Sequence, residues 1–587
     1  VVDRVAEYRS RILALQQGLA EEEGRQVPLL AGVLLAIGVL VFLFRIAPFS
    51  SVLAVPVLWF AWREHGKIRS AASKIYRLKN AYDAGVLRLT DSWQGEGLSG
   101  EEFAPPEHVY ASDLNVFGTG SLFELLCTAR TAIGRRRLAH LLLGPAPLEE
   151  CRKRQDAVVE LRERRDLFDR VAVLGEASFT EAKWETFVQW LDSPPVSFSP
   201  FWLPFALAGV CVAAVLVLVA SIGSVEWAQV LPALEAVLAL HLGAGWLLRE
   251  RVARIADGAA AISVDIPVLR EGLQLLAGQK FHAERLRELA ASAQDSAASI
   301  VRLARLLGIL DECNKDWCYV PGRVLLIRHL SCIAIERWRA ANGPALREWM
   351  AAWGEFEALL ALGNYAFENP AHTMPVLAAE GVRFEARALG HPLLAADRCV
   401  PNDVAIGGEW RFYIVSGSNM SGKSTLLRSI GLNAVLAFAG APVRAVSLCL
   451  SELATCASLS VTDSILNGKS RFLAEVDRIR QTIELAAQGR PVLFLVDEIF
   501  SGTNSRDRRA AAEAVVRTLV EKGAIGALST HDIALTEIAT AQGLVGTNMH
   551  MGSKGQGDPL DFDYVLKEGV TQEANALAIA RLAGVPV

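Results

Sequence analysis

The apolar run Phe412-Tyr413-Ile414-Val415 leads directly into Ser416-Gly417-Ser418-Asn419-Met420-Ser421-Gly422-Lys423-Ser424-Thr425. A strand, a glycine-bounded loop and a helix start, in that order, leave few architectures open, and all of them contain an α/β layer. The spacing is the full G-x-x-x-x-G-K-[ST] phosphate cradle. Its glycines let backbone N–H groups turn inward, Lys423 supplies a point charge, and Ser424 supplies a hydroxyl for Mg²⁺. Gly417, Ser418, Asn419, Met420, Ser421, Gly422, Lys423, Ser424 and Thr425 are therefore expected to hold a nucleoside triphosphate.

Two further strands complete the pattern. Val492 to Val496 is apolar and ends in Asp497-Glu498. That pair offers what phosphoryl hydrolysis requires: Asp497 for the Mg²⁺ shell, Glu498 to polarise the attacking water. Ile525 to Leu528 ends in Ser529-Thr530-His531-Asp532, which puts His531 where it can sense a γ-phosphate. Between them lies Asn467-Gly468-Lys469-Ser470-Arg471-Phe472-Leu473-Ala474-Glu475, with Ser470 at an expected helix start. A serine there either caps the helix or meets an anion at its N-terminus.

The rest of the chain carries an unusual load of apolar residues. Hydrophobic types make up 52% of 587 residues, and the excess sits in two places. Val27 to Phe44 and Ile46 to Trp62 are uncharged and separated only by Arg45; Ser193 to Val225 is uncharged, and Trp227 to Leu248 carries only Glu235 and His241. Runs of this length match the roughly 20 residues that cross a bilayer core. They are read as two transmembrane hairpins, four passes in all. Arg63, Lys67, Arg69 and Lys74 follow the first pair, and Arg249, Arg251 and Arg254 the second. By the positive-inside rule, the termini and the middle segment then lie in the cytoplasm. The first run has no small-residue cleavage site and a second run follows at once, so it reads as a pass rather than a signal. Nine scattered cysteines fit reduced thiols in a cytosolic compartment. A net charge of −5 gives no global basic footprint for nucleic acid.

Composition and breakers divide the chain. The expected units are an N-terminal helix with the first hairpin (1–80), a linker (81–110), a helical core segment (111–192), the second hairpin (193–250), lever helices (251–375) and an α/β domain (376–587). Pro105-Pro106, Pro194-Pro195 and Asn369-Pro370 mark boundaries. Within the core segment Leu122, Leu125, Leu126, Ala129, Ile133, Leu138 and Leu141 recur at helical spacing.

The Asn-Met-bearing loop Gly417 to Thr425 resembles that of the MutS mismatch-repair ATPases. Ala439-Gly440-Ala441-Pro442-Val443-Arg444-Ala445, Asp497-Glu498-Ile499-Phe500-Ser501-Gly502-Thr503-Asn504-Ser505-Arg506-Asp507 and the closing Leu582-Ala583-Gly584-Val585-Pro586 are similar to the same family. Upstream, Gly120-Ser121-Leu122 through Arg154-Gln155-Asp156-Ala157-Val158 resembles its core helices, and Glu355-Phe356 to Asn364-Tyr365 the end of its levers. The resemblance implies an α plus α/β multidomain protein with a C-terminal P-loop ATPase domain of the ABC type. It also implies ATP and Mg²⁺, a homodimer with composite sites in which Ser470 reaches the partner's γ-phosphate, and coupling to DNA. Together with the hairpins, this describes an integral protein of a bacterial inner membrane, with core, levers and ATPase domain in the cytoplasm.

The departures from the family are as informative. The sole Phe-x-Glu, Phe179-Thr180-Glu181, lies inside the core segment rather than in a mismatch-reading domain, and reads as helix surface. The second hairpin replaces the segment between the core block and the levers, and no basic, aromatic-interleaved cluster stands in for a DNA clamp. Arg135-Arg136-Arg137, the densest basic run, reads as a solvated helix face. Cys399, before Pro401-Asn402-Asp403, falls near the family's adenine-stacking position. The transporter signature Leu-Ser-Gly-Gly-Gln is absent. Two functions follow: a membrane-anchored ATPase acting on mismatched, branched or damaged DNA, or a membrane-embedded machine whose levers move the hairpins or remodel a partner without DNA.

Overall fold

The computed structural model describes residues 2–46, 54–175, 181–223, 225–263, 266–418, 420–459, 471–501, 504–552 and 561–571. Asn419, Ser470, Phe179, the Gly502-Thr503 pair and the closing Leu582-to-Pro586 stretch lie outside the described residues.

Among the described residues, ten strands form two sheets. Strands β1 (Val376–Ala378), β2 (Phe384–Leu389), β3 (Asn402–Ile406) and β5 (Ser447–Ser451) make a four-stranded sheet in the order β1-β5-β2-β3. Strands β4 (Phe412–Ser416), β6 (Ala454–Ser458), β7 (Val492–Asp497), β8 (Ile525–Thr530), β9 (Gly546–His550) and β10 (Lys567–Glu568) make a six-stranded sheet in the order β10-β9-β4-β8-β7-β6. The last five strands of that order run parallel, as helices on both faces require. Every residue of β4 is buried, and its side chains alternate between two cores. Tyr413 and Val415 join the large core that continues into the helical body; Phe412 and Ile414 face a second core with Phe494, Val516 and Leu519.

The helical body packs directly on this layer. The helix Lys423–Ala439 lies against Ala132–Leu142 and Leu148–Arg162, where the Cys151 thiol donates to the Phe438 carbonyl at 3.2 Å. The residues from Leu122 to Leu141 that recur at helical spacing fall on two helices, Leu122–Leu126 and Ala132–Leu142. Thr131 caps the second by accepting from Gly134 N, so the ladder restarts while the apolar spacing continues. Arg137 also departs from the solvated reading: it pairs at 2.7 Å with Glu355, buried on the helix Ile327–Glu368, and Arg285 holds the same carboxylate. Burial would raise the Glu355 pKa, but the two arginines hold it below its ordinary value.

The apolar runs form long helices. Gln26–Ile46 carries the first, and residues 47–53 lie outside the described residues. Among the described residues, Trp202–Ser221 and Trp227–Ser263 are each long and apolar enough to cross a membrane. A third candidate is a bent pair, Cys318–Val324 with Ile327–Glu368, which turns by 73° where Leu326 adopts a left-handed backbone (φ 56). Trp227–Ser263 continues unbroken beyond residue 250, since a helical ladder is indifferent to the change from apolar to charged side chains. At the bend, Leu326 packs with Ala206 and Ala244 of the hairpin.

Candidate nucleotide site

Strand β4 delivers the glycine loop at its C-terminal end, between β8 and β9. Gly417 takes φ 155, and a Cβ there would sit 2.4 Å from the Met551 carbonyl, so no larger residue fits. Gly422 takes φ 99 at the N-terminus of the following helix. Lys423 is buried, and its Nζ donates to the Gly417 and Ser418 carbonyls at 2.8 Å each. Burial lowers its pKa, and Asp497 and Glu498 partly offset this. The ammonium is thus held inside the loop, facing the two carboxylates.

The register of the parallel strands arranges the acids. Asp497 on β7 pairs with Ser529 on β8, and both side chains emerge beside the loop. Ser424 Oγ donates to Asp497 Oδ2 at 2.5 Å, and Ser529 Oγ donates to Asp497 Oδ1. Glu498 follows in a left-handed conformation (φ 54), its N–H donating to the Ser529 carbonyl at 3.1 Å. Its Oε1 lies 2.8 Å from His531 Nδ1. Ser424, Asp497, Glu498 and His531 are therefore gathered at one end of the sheet. Ser418, Met420, Ser421 and Thr425 line the same loop and helix start.

Several residues of this site carry no local sequence signal for their role. Ser529 was visible only as the residue before Thr530, and its pairing with Asp497 depends on strand order. Glu475, buried on the helix Arg471–Ala487, accepts from Phe500 N at 2.6 Å and so holds the turn after β7. Beside the loop lies a cavity of about 530 Å³ lined by Gly422, Thr425, His391, Cys399, Phe562 and Tyr564 among others. Cys399, the residue near the expected adenine position, is thus on its wall, while the aromatic surface comes from Phe562 and Tyr564. Asn402 fixes that segment: its Nδ2 donates to the Tyr564 carbonyl at 3.0 Å and its Oδ1 accepts from Leu566 N at 2.7 Å. His391 is pushed down to about 4 by burial and by Arg428 and Arg444, so its ring is neutral at pH 7. A cavity that adjoins a phosphate cradle and carries two aromatic rings beside polar side chains has the form of a base site.

Comparison with known proteins agrees with this geometry. Residues 413–587 match the family model for MutS domain V. The DNA mismatch repair protein MutS of Natronomonas pharaonis is 31% identical over 253 residues, covering 42% of this chain and 29% of that protein. The MutS of Sorangium cellulosum is 34% identical over 253 residues, 41% of this chain and 26% of the relative. The mismatch repair protein MSH6 of Arabidopsis thaliana is 32% identical over 275 residues, 43% and 20% respectively. The chain thus spans less than a third of the length of these relatives. Residues 413–587 thus carry a MutS domain V, and the resemblance read from the phosphate loop is borne out there.

Proposed function

We propose that this protein is a membrane-anchored, homodimeric ATP hydrolase whose nucleotide cycle is coupled to DNA. The observation that carries the ATPase reading is the set formed by Lys423 inside the loop, Asp497 bonded to Ser424 and Ser529, and Glu498 bonded to His531. Ser424 Oγ and the Asp497 carboxylate are two hard oxygen donors on one side of the cradle, a donor set that suits Mg²⁺. The ion, when bound, neutralises charge on the β- and γ-phosphate oxygens.

The protein's own groups divide the remaining work. Lys423 and the loop N–H groups hold the triphosphate. Glu498 orients the attacking water and takes its proton, and His531 fixes the carboxylate that does so. Ser529 keeps Asp497 turned toward the cradle. In the dimer, Ser470 completes the partner's site. The apolar helices Trp202–Ser221 and Trp227–Ser263 support the membrane anchor, and the printed role of the relatives in DNA mismatch repair supports DNA as the ligand.

A second reading has its own support. The helix Ile327–Glu368 runs from the ATPase layer to the apolar hairpin, so the levers end where a bilayer would be rather than at a basic surface. One experiment separates the two. ATP hydrolysis is measured on detergent-solubilised and nanodisc-reconstituted protein, with homoduplex, mismatched and branched DNA. The DNA reading expects stimulation and salt-dependent retention. The bilayer reading expects a response to lipid alone. Glu498→Gln should bind ATP and fail to turn it over; normal hydrolysis in that variant would overturn the site assignment.

A further inference from the structure

The elbow of the levers is pinned to the second hairpin at a depth that the hairpin's own sequence measures. The helix Glu284–Asn314 runs antiparallel to Ile327–Glu368, with Arg285 on Glu355 near one end and Trp338 Nε1 donating to the Ser299 carbonyl at 3.0 Å further along. Asp316–Val324 joins the two at their far end and is bent by 73° from the longer helix. His329 Nε2 donates to the Gly245 carbonyl at 3.2 Å, and His241 Nδ1 donates to the Val324 carbonyl at 2.8 Å. His241 and Gly245 both lie inside the run from Trp227 to Leu248, and Arg249 is the first charge after it. At 1.5 Å per residue, His241 stands about 12 Å along the helix from Arg249. Trp246 is exposed and lies under the Arg249 guanidinium at 4.6 Å, an arrangement suited to the level of a headgroup boundary.

Two further observations fit that depth. Val324 ends its helix, and a helix offers its last carbonyls no internal donor. Backbone of this kind is tolerated at membrane depth only where protein satisfies it. The His241 ring does so, and Gly209 on the facing helix makes room for it, since a Cβ there would overlap the ring. The outward face of the elbow is apolar: Val320 is 64% exposed, Tyr319 42%, and Leu325, just past the helix end, 39%. From Asp316 to Leu325 the only charges are Asp316 at the start and Arg323, which lies over the Tyr319 ring at 4.2 Å. A long basic side chain of this kind covers apolar surface with its stem and carries its head to water.

We propose that Asp316–Val324 lies in the plane of the bilayer, in the leaflet nearer the ATPase layer. Tyr319, Val320 and Leu325 then meet phospholipid acyl chains, and Arg323 meets the headgroups. The two antiparallel helices leave the elbow on the same side, so the levers enter lipid and return from it without crossing. This rests on the membrane-anchor reading above and extends it: the levers themselves, and not the hairpins alone, have lipid as a partner.

The test places the photoreactive residue p-benzoylphenylalanine singly at Val320, Tyr319, Leu240 or Val446, all exposed positions, in the full chain. Each protein is reconstituted in vesicles of phosphatidylcholine and phosphatidylglycerol and irradiated, and lipid adducts are quantified by mass spectrometry. Leu240 reports the hairpin, and Val446, beside β5, reports a surface away from it. Adduct yields at Val320 and Tyr319 should fall within about three-fold of that at Leu240 and exceed that at Val446 by about ten-fold or more. Adducts at Leu240, with Val320 and Tyr319 no higher than Val446, overturn the proposal and leave the membrane anchor standing. No lipid adduct at Leu240 removes the anchor, and the proposal with it. Crosslinking of Val320 and Tyr319 to a polypeptide instead of lipid gives the elbow a protein partner and likewise overturns the proposal.

Discussion

The turn after β7 is strained, and its release offers a sharp test of how Glu498 is positioned. Glu498 and Phe500 both occupy the left-handed region (φ 54 and 53) without being glycine. Such residues cost about 1–2 kcal/mol each, so the turn persists only because neighbours hold it. Arg508 donates to the Phe500 carbonyl at 3.1 Å and to the Ser501 carbonyl at 2.9 Å, and the buried Glu475 accepts from Phe500 N at 2.6 Å. A hydrogen bond to a charged acceptor contributes about 1.5–3 kcal/mol, comparable with the strain it opposes. Glu475→Ala should therefore let the turn relax and carry Glu498 away from the water it orients. About 2 kcal/mol in the barrier is roughly a 30-fold loss of kcat. Nucleotide affinity should be retained, because Lys423 and the loop are untouched. Glu475→Gln keeps an acceptor for Phe500 N and should stay within about three-fold of the wild type. Steady-state hydrolysis, with analogue binding measured separately, reads both. A folded Glu475→Ala protein with wild-type kcat refutes the reasoning, as does a Gln variant that falls as far as the Ala variant.

Two other outcomes are accessible. Ser470→Ala should slow hydrolysis without weakening ATP binding to the monomer, and an unchanged rate at concentrations where the protein is dimeric would undercut the composite site. Glu357 is fully buried, and burial raises its pKa to about 7 although Thr131 Oγ1 and the Arg130 and Thr131 N–H groups donate to it. Its folded value lies above the unfolded one, so the native state holds the proton longer and stability falls as pH rises from about 4.5 to 7. The loss is at most about 3.4 kcal/mol by linkage. Glu357→Gln should flatten that slope in thermal unfolding, and an unaltered slope would assign the dependence elsewhere.

What the sequence made legible was local. The strand, the loop and the helix start around Gly417 announce themselves because each is coded within a few residues by period and by glycine. Asp497, Glu498 and His531 were legible as strand-end residues for the same reason. Partners set by strand order were not. Ser529 meets Asp497 only because β8 lies beside β7 in register, and Glu475 meets Phe500 only because its helix packs on that edge. The helix break at 127–131 was hidden because apolar spacing continues through it, and only the cap at Thr131 reveals the restart. Pro321 and Gly322 lie within a helix, and the bend in the levers falls at Leu326. The hairpin packed there supplies the contacts that hold it.

The long helix is where the site and the hairpin meet mechanically. Ile327–Glu368 has 42 residues and so spans about 63 Å. At one end the Arg88–Glu368 pair and Tyr8 fix it to the N-terminal helices. At the other, the bend packs on the hairpin, and His241 Nδ1 donates to the Val324 carbonyl at 2.8 Å. Helices embedded in close-packed cores move as rods, because deforming them costs more than tilting them. A tilt of about 5° at the nucleotide end then shifts the far end by about 5 Å, one helical turn. A displacement of that size is enough to exchange one set of helix contacts for the next. If the site hydrolyses ATP as proposed, the seating of the lever on two apolar helices gives a tilt of this rod a direct path to the hairpin.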